Sequence, residues 1–294
     1  MKPLVACALA VAACAPAEDG TATDAGTGDA RADAPPGCTR PALEQPWLRP
    51  LLTGTIAQLA STPRSTTTQR EAARTYLSQQ LQMIGWTPQL HAYPGGANVV
   101  TTVPATVMPP ANTIIVGAHF DSVAASPGAN DNASGTAVVL AVARYLAETP
   151  CRTAPVRVVF FDQEEVGLFG ARAYAAIVDP ATVRAVHTID QVSWDGDSDG
   201  RFELELPTPE LETEWRAAAA IVGVTVATTS TSGTDHEAFR DRGFAAVGLT
   251  EEYVGGDTSP HRHLAGDTPA TVDNDYLTLA AKLTAQVVIE EAAP

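Results

Sequence analysis

Short β-branched runs alternate with segments of helical periodicity along most of this chain. Two runs, at residues 113–118 and Val156–Phe161, are apolar almost throughout, which is typical of strands buried on both faces, and Val183–Ile189 is predicted to be a further strand. Strands that alternate with helices form α/β domains. The pattern therefore predicts an α/β fold with a mostly parallel, twisted central sheet and helices on both faces.

The helices are predicted from apolar residues at helical intervals. The first ends at Gly85, since glycine is common just after the last turn of a helix. A final strand at 245–249 is expected to close the sheet. The predicted helical segments are 66–84, 133–147, 169–177, 211–221 and 274–290.

The first residues have the pattern of an export signal. A lysine precedes an apolar run that is too short to cross a bilayer as a helix, so residues 1–13 are predicted to be a signal peptide. Residues 11–14, VAAC, resemble the lipobox of bacterial lipoproteins, which makes Cys14 the predicted lipidation site. The alternatives are an ordinary secretion signal cut near Ala15 or Ala17, or lipidation at Cys7.

Residues 14–45 are expected to form a flexible tether before a folded domain at 46–294. Residues 18–37 contain no large apolar side chain and cannot bury enough surface to offset chain entropy. The remaining cysteines, Cys38 and Cys151, form an even pair in an exported chain, which favours a disulfide between them. Two unpaired buried cysteines are the alternative.

The charge balance excludes one class of partner. The 294 residues include 18 Lys and Arg and 34 Asp and Glu, for a net charge of −16, which repels the phosphates of nucleic acids. With 45% hydrophobic and 18% charged residues, the composition is that of a globular protein. Nucleic-acid binding is therefore not expected.

Polar residues follow the predicted strands, at the edge where α/β sheets bind ligands. A glycine-bounded loop and a C-terminal loop add two more candidates. Imidazoles and carboxylates together favour zinc, whereas calcium and magnesium sites use oxygen ligands. The candidate residues are His119, Asp121, Asp131, Glu164, Glu165, Asp190 and His263.

Each candidate has a structural alternative when it is taken alone. Carboxylates at strand ends commonly cap helices, and a single histidine is usually a surface or core residue. Their convergence on one edge of the sheet favours a metal site, because burying several carboxylates together without a cation is costly.

The motifs that carry these residues resemble a known family. They are GAHFDSV, GANDNASG, FFDQEEVGLFGARAY, Asp190, TSGTDHEAFRDRGFAAVGL and SPHRHLAGDT, in that order. This series is similar to that of the co-catalytic di-zinc aminopeptidases, typified by secreted bacterial leucyl aminopeptidases and related to glutamate carboxypeptidases and glutaminyl cyclases. The resemblance covers residues 46–289 and implies a three-layer fold.

The resemblance also implies a ligand for each position of a two-zinc site. His119 and Asp190 would bind one zinc, Glu165 and His263 the other, and Asp131 both. A shared carboxylate suits two dications, which repel each other unless an anion lies between them.

Further roles come from the same resemblance. Glu164 would be the general base, taking a proton from the metal-bridging water and passing it to the leaving amine. Asp121 would orient the imidazole of His119. Asp235 and His236 would support the site or the substrate pocket, and the peptide bond between Asp131 and Asn132 is expected to be cis.

One position departs from the family pattern. Many relatives have Tyr immediately before the last histidine ligand, where its hydroxyl stabilises the oxyanion, but this chain has Arg262. Arginine is also able to donate to an oxyanion. His261 is a second imidazole nearby, and His263 is preferred as the ligand because it keeps the family's spacing to Asp267.

A second cation site is suggested by the segment Asp195-Gly-Asp197-Ser-Asp199-Gly. Alternating carboxylates that end in glycine are typical of calcium loops. An EF-hand would have glutamate where this chain has Leu206, so only a shorter calcium loop fits. A solvated turn is the alternative.

The sequence thus predicts a zinc metallopeptidase of the bacterial cell envelope, either lipid-anchored or secreted. It would be a monomeric aminopeptidase with two zinc ions per chain, acting on peptides that have a free N-terminus. One alternative is a glutaminyl cyclase-like acyltransferase with one zinc, against which the presence of both His119 and Asp131 argues. The other is a catalytically silent binding domain, which is disfavoured because every ligand position is filled.

Overall fold

Eight strands form one mixed sheet in the computed structural model, which describes residues 37–294. The strand order is β1-β2-β4-β3-β5-β8-β6-β7, with parallel pairing from β4 through β3 and β5 to β8. The strands are β1 Gln89–Tyr93, β2 Gly96–Val103, β3 Thr113–His119, β4 Val156–Phe161, β5 Val183–Ile189, β6 Arg201–Glu205, β7 Thr225–Thr229 and β8 Ala246–Thr250.

Seven α-helices of the described chain cover the two faces of the sheet. Apolar side chains of five helices pack on one face, while two helices, α4 and α6, pack on the other. The α/β prediction with helices on both faces is therefore confirmed. The helices are α1 Leu48–Leu59, α2 Thr67–Ile84, α3 Gly135–Ala147, α4 Phe169–Ile177, α5 Pro209–Val222, α6 Asp235–Arg240 and α7 Asn274–Ala292.

Local sequence explains where α2 begins and ends. The side chain of Thr66 accepts a hydrogen bond from the backbone of Gln69, and the Gln69 side chain accepts one from the backbone of Thr66. Gly85 ends the helix at φ 106°, a left-handed conformation that glycine adopts without steric cost. The predicted helix at 66–84 is therefore confirmed within one residue.

One topological prediction is wrong. The strand expected at 245–249 does not close the sheet, because β8 lies between β5 and β6. β6 pairs antiparallel with β8, and β7 extends that edge. The helix α1 was not predicted, although Leu48, Leu52, Ile56 and Leu59 recur at helical intervals. The helix α6 and the strands β1 and β7 were not predicted because they are short, and both strands are only partly buried.

The segment that precedes α1 is attached to the domain. Cys38 and Cys151 are joined by a disulfide across 113 residues of sequence. Arg40 pairs with Glu290, and the hydroxyl of Tyr145 donates to the carbonyl of Leu43. The predicted signal peptide and Cys14 lie outside the described residues. No helix between residues 37 and 294 has both the length and the apolar character needed to cross a membrane.

Candidate metal centre

Strand register brings the polar strand ends together. In the parallel β3–β4 pair, His119 lies opposite Phe161, and in the β5–β8 pair Ile189 lies opposite Leu249. The residues that follow these positions therefore emerge at the same edge of the sheet. This edge carries His119, Glu164, Glu165 and Asp190.

The first cluster contains His119, Asp131 and Asp190. Nε2 of His119 lies 3.5 Å from Oδ1 of Asp131 and 3.4 Å from Oδ1 of Asp190. The imidazole is 1% exposed, and neither of its ring nitrogens makes a hydrogen bond with any described residue. One atom each from His119, Asp131 and Asp190 lies close enough to the others to hold a metal ion.

A second cluster shares the same aspartate. Nε2 of His263 lies 3.1 Å from Oδ2 of Asp131 and 3.0 Å from Oε2 of Glu165. These three residues also form a group that fits a metal ion. Each oxygen of Asp131 thus faces a different cluster, which is the arrangement required of a carboxylate shared by two cations.

The loop that carries Asp131 is held by hydrogen bonds from deeper in the fold. Asp267 accepts the backbone N–H groups of Asn130 and Asp131, at 2.7 and 3.1 Å. The side-chain amide of Asn130 donates to Glu251 at 2.8 Å. The peptide bond between Asp131 and Asn132 is cis. These contacts present the Asp131 carboxylate to both clusters.

Asp121 connects the first cluster to the Glu164–Glu165 turn. Its Oδ1 lies 3.4 Å from Nδ1 of His119, and its two oxygens accept the backbone N–H groups of Glu164 and Glu165. One buried carboxylate therefore lies beside the histidine and holds the adjacent turn by two hydrogen bonds.

Burial and neighbouring charges shift the pKa values of several groups at this edge of the sheet. Burial, with a further contribution from Asp190, raises the pKa of Glu164 to about 10. Burial and the charge of Asp131 raise the pKa of Glu165 to about 7. Burial opposes protonation of His119, yet the charges of Asp190 and Glu164 raise its pKa above the usual range. Such an arrangement of acids favours bound cations.

Three residues at the site have left-handed backbone conformations. The φ angles are 64° at Gln163, 39° at Gln191 and 60° at His263. Non-glycine residues seldom adopt positive φ, and such strain concentrates at functional sites. Gln163 immediately precedes Glu164, and Gln191 immediately follows Asp190. His263 belongs to the second cluster.

The remaining predicted site residues lie near the clusters in different ways. Nε of Arg262 lies 3.4 Å from Oδ2 of Asp131. Asp235 is 3% exposed, and burial, with contributions from Asp190 and Asp121, raises its pKa to about 8. His236 is fully buried, and its Nδ1 lies against Thr234 and Glu205. It belongs to neither of the two ligand clusters.

The predicted calcium loop forms a separate acidic group. Two groups of three carboxylates lie near enough to share a cation. One consists of Asp195, Asp197 and Asp257, and the other of Asp197, Asp199 and Glu252. Asp257 and Glu252 come from a distant part of the chain, so the repeat at 195–200 did not predict them.

Two buried residues near the site were not predicted. Arg64 is 2% exposed and donates to backbone carbonyls that include those of Phe120 and Gly128. Glu205 is 2% exposed although it alternates with apolar residues in β6. An isolated arginine in a loop carries no local signal, and alternation predicts an exposed glutamate in that strand.

Known proteins are similar to this chain in sequence. The family model for peptidase family M28 matches residues 98–288. The probable lipoprotein aminopeptidase LpqL of Mycobacterium tuberculosis is 42% identical over 76 residues, which cover 26% of this chain and 15% of the relative. Leucine aminopeptidase 2 of Trichophyton rubrum is 29% identical over 209 residues, covering 62% and 42%. The chain thus spans less than half the length of either relative.

Solved structures share the fold at low sequence identity. An aminopeptidase from Aneurinibacillus sp. strain AM-1 aligns over 84% of this chain and 94% of its own, with 16% identity and a TM-score of 0.76. A zinc aminopeptidase from Bacillus subtilis covers 67% and 50%, with 24% identity and a TM-score of 0.63. Porphyromonas gingivalis glutaminyl cyclase covers 83% and 98%, with 18% identity and a TM-score of 0.70.

Proposed function

This chain belongs to peptidase family M28, and we propose that it is a zinc-dependent aminopeptidase that removes the N-terminal residue from peptides. The observation that carries the proposal is the pair of ligand clusters that share Asp131, with Glu164 beside them. Two clusters match two zinc ions better than one, and this favours a peptidase over a cyclase-like acyltransferase with a single zinc.

The side chains present suit zinc. Each cluster combines one imidazole nitrogen with carboxylate oxygens, which is a donor set that zinc accepts. Nε2 of His119 and Nε2 of His263 are buried atoms without hydrogen-bond partners in residues 37–294, as expected of atoms that await a metal. His119 and Asp190 would hold one ion, Glu165 and His263 the other, and Asp131 both.

The ions would supply Lewis acidity, which polarises the scissile carbonyl and makes the attacking water more acidic. Glu164 is the candidate base that takes the proton from this water. Its side chain is 11% exposed, and Oε2 lies 3.8 Å from Nε2 of His119. Positive charge in the adjacent cluster favours the ionised form of Glu164 that a base requires.

The surrounding residues hold Glu164 in place. Its backbone N–H donates to Asp121 at 3.0 Å, so the base and His119 share one support. Glu164 then passes the proton to the leaving amine. Arg262 is the nearest cationic donor to the shared carboxylate and would stabilise the negative oxygen of the tetrahedral intermediate.

A peptide with a free N-terminus suits the charge of the site. The α-ammonium group is a cation, and Glu164 and Asp235 are neighbouring carboxylates at this edge that are not among the proposed zinc ligands. An N-acetylated peptide lacks that positive charge and should bind and react poorly.

We also propose that the protein is exported and anchored to the bacterial envelope through lipid on Cys14. The relative LpqL is named a lipoprotein, and its partial match supports this location. Secretion without an anchor is the alternative. The protein would act as a monomer on peptides that have a free N-terminus.

Calcium is proposed at the second acidic site. Asp195, Asp197 and Asp199 contribute the predicted loop, and Asp257 and Glu252 add carboxylates from the facing segment. Oxygen ligands alone suit calcium better than zinc. This site is separate from the proposed zinc clusters and would serve stability.

One experiment tests the proposed activity. Zinc content is measured by elemental analysis, and cleavage of leucine p-nitroanilide is followed before and after chelation, for the wild type and for Glu164→Gln. We expect about two zinc ions per chain and cleavage that requires them, with normal zinc content but at least about 100-fold lower kcat in the variant. The exposed Glu71→Gln is the matched control.

Other outcomes would redirect the assignment. One zinc per chain with cyclisation of N-terminal glutamine would support the acyltransferase. Equal cleavage of free and N-acetylated peptides would exclude an aminopeptidase. Zinc binding without turnover, unchanged by Glu164→Gln, would indicate a binding domain.

A further inference from the structure

A cavity of about 100 Å³, open to solvent, adjoins the metal clusters. Asp190 and Arg262 line it on the side of the clusters. Its other walls come from the ends of three strands and from the loop at 231–234. A group attached to the α-carbon of a substrate at the clusters would therefore have this cavity within reach. The remaining lining residues are Gln191, Glu205, Thr231, Ser232, Gly233, Thr234, Thr250 and Tyr253.

Glu205 is a buried carboxylate without a charged partner. It is 2% exposed, and within residues 37–294 the single ion-pair candidate is Nδ1 of His236, at 3.4 Å. Burial lowers the pKa of His236 to about 4, so this imidazole is neutral near pH 7. The hydroxyl of Thr234 donates to Oε2 of Glu205 at 2.9 Å. Burial, with a further contribution from Asp190, raises the pKa of Glu205 to about 8, so the charged carboxylate is costly in this position unless a cation comes to it.

Gln191 adds a second acceptor. Its side chain is 4% exposed, and its amide nitrogen donates to Oγ1 of Thr258 at 3.3 Å. Its Oε1 has no hydrogen-bond partner among the residues described. Buried acceptors of this kind are normally satisfied, so a donor from a ligand is the expected partner.

Gly248 leaves the space in the sheet that the Glu205 side chain occupies. Gly248 lies opposite Glu205 in the antiparallel β6–β8 pair. A Cβ atom at Gly248 would lie 2.4 Å from Oε2 of Glu205 and 3.0 Å from Nδ1 of His236. Only glycine leaves room for this side chain, so the buried carboxylate is not a loosely placed surface group.

The one arginine that lines the cavity does not neutralise Glu205. Nε of Arg262 lies 3.4 Å from Asp131, and its guanidinium carbon lies 5.8 Å from the ring centre of Tyr253. Arg262 is therefore engaged with the shared carboxylate. The cavity therefore retains two acceptors, the Glu205 carboxylate and Oε1 of Gln191, that this arginine does not pair with.

We infer that this cavity takes the side chain of the substrate's N-terminal residue and that Glu205 selects a basic side chain, lysine or arginine. The inference rests on the proposed aminopeptidase function. The ammonium or guanidinium group supplies the cation that Glu205 lacks and a donor for Gln191. An apolar side chain of the same length would cover the Glu205 carboxylate and Oε1 of Gln191 without donating a hydrogen bond to either, and both acceptors would stay unsatisfied.

The test compares p-nitroanilides of lysine and norleucine, which share an unbranched four-carbon side chain and differ in the ammonium group. We expect the wild type to have at least about tenfold higher kcat/KM for lysine, and Glu205→Gln to reduce this preference at least about tenfold. Calorimetry with free lysine and free norleucine gives the same comparison without turnover. The exposed Glu210→Gln is the control, and zinc content and Tm verify that each variant is folded.

Each other result overturns the inference in a recognisable way. A wild type that prefers norleucine contradicts it while leaving the aminopeptidase assignment intact. A Glu205→Gln variant that loses both substrates equally shows that the carboxylate serves the loop or the α-ammonium group. Failure of the zinc-loaded wild type to cleave either substrate means that the proposed function itself is wrong.

Discussion

Nε of Arg262 lies 3.4 Å from Oδ2 of Asp131, the carboxylate that faces both ligand clusters. An arginine so placed is able to donate to an oxyanion that forms beside Asp131. We predict that Arg262→Ala lowers kcat by about 10²–10³-fold, with zinc content unchanged, because one oxyanion donor is lost. Steady-state kinetics with leucine p-nitroanilide measures the effect, and the exposed Arg242→Ala is the control. A change in KM alone would argue against this role.

Arg64 is a buried arginine that binds backbone carbonyls from both sides of the metal centre. It donates to the carbonyl of Phe120, which follows His119, and to that of Gly128, at 2.8 Å. We predict that Arg64→Met lowers the free energy of unfolding by about 2–4 kcal/mol, because several buried carbonyls lose their donor. Zinc affinity should also fall at least about tenfold, since the two ligand-bearing segments lose their shared support.

Urea unfolding and chelator competition measure the two effects of Arg64→Met. Arg49→Met is the matched control, because Arg49 is half-exposed and its single ion pair within residues 37–294 is with the exposed Asp275. If Arg64→Met and Arg49→Met are equally stable and bind zinc equally well, Arg64 has no such role.

His236 should make the protein sensitive to acid. Burial lowers its pKa to about 4 in the folded state, against an ordinary value of 6.5. Between these values the unfolded chain binds the proton and the folded chain does not, so stability falls as pH decreases. The loss should reach about 3 kcal/mol at the acid end. Urea unfolding of metal-free wild type and His236→Gln across this range should show a shallower pH slope in the variant, whereas parallel curves would contradict the assignment.

The disulfide between Cys38 and Cys151 closes a long loop, with a sequence separation of 113 residues. Loss of such a cross-link increases the entropy of the unfolded chain. We predict that Cys38→Ser with Cys151→Ser lowers the free energy of unfolding by about 2–5 kcal/mol. Urea unfolding with and without reductant measures this, and reductant should not affect the double variant. Equal stability with and without the disulfide would show that native contacts alone retain the segment.

Calcium should stabilise the protein through the loop at 195–200. Burial raises the pKa of Asp195, and the charges of Asp199 and Asp197 add to this, so a cation would relieve their repulsion. We predict a rise in Tm with calcium concentration that Asp197→Asn abolishes. Asp241→Asn, an exposed change elsewhere, should retain the response. A Tm that is insensitive to calcium would favour the solvated turn.

Much of the metal centre follows from local sequence. The β-branched runs define β3, β4 and β5, and parallel strands place the residues after them at one edge. His119, Glu165 and Asp190 were therefore identified from their positions after strands, and Asp131 and His263 from two loops. The family resemblance then implied how the five residues divide between two zinc ions. The structure brings all five into two clusters, although their roles as zinc ligands stay a prediction.

The class of fold and the kinds of side chain at the strand ends can be predicted from local sequence, because hydrophobic periodicity and ligand chemistry are local properties. Long-range packing places β8 inside the sheet, buries Glu205 opposite Gly248, and brings Arg64 to two distant segments. These features depend on pairings between strands and loops far apart in the chain. Their free energies arise from burial and hydrogen bonds that no local pattern encodes.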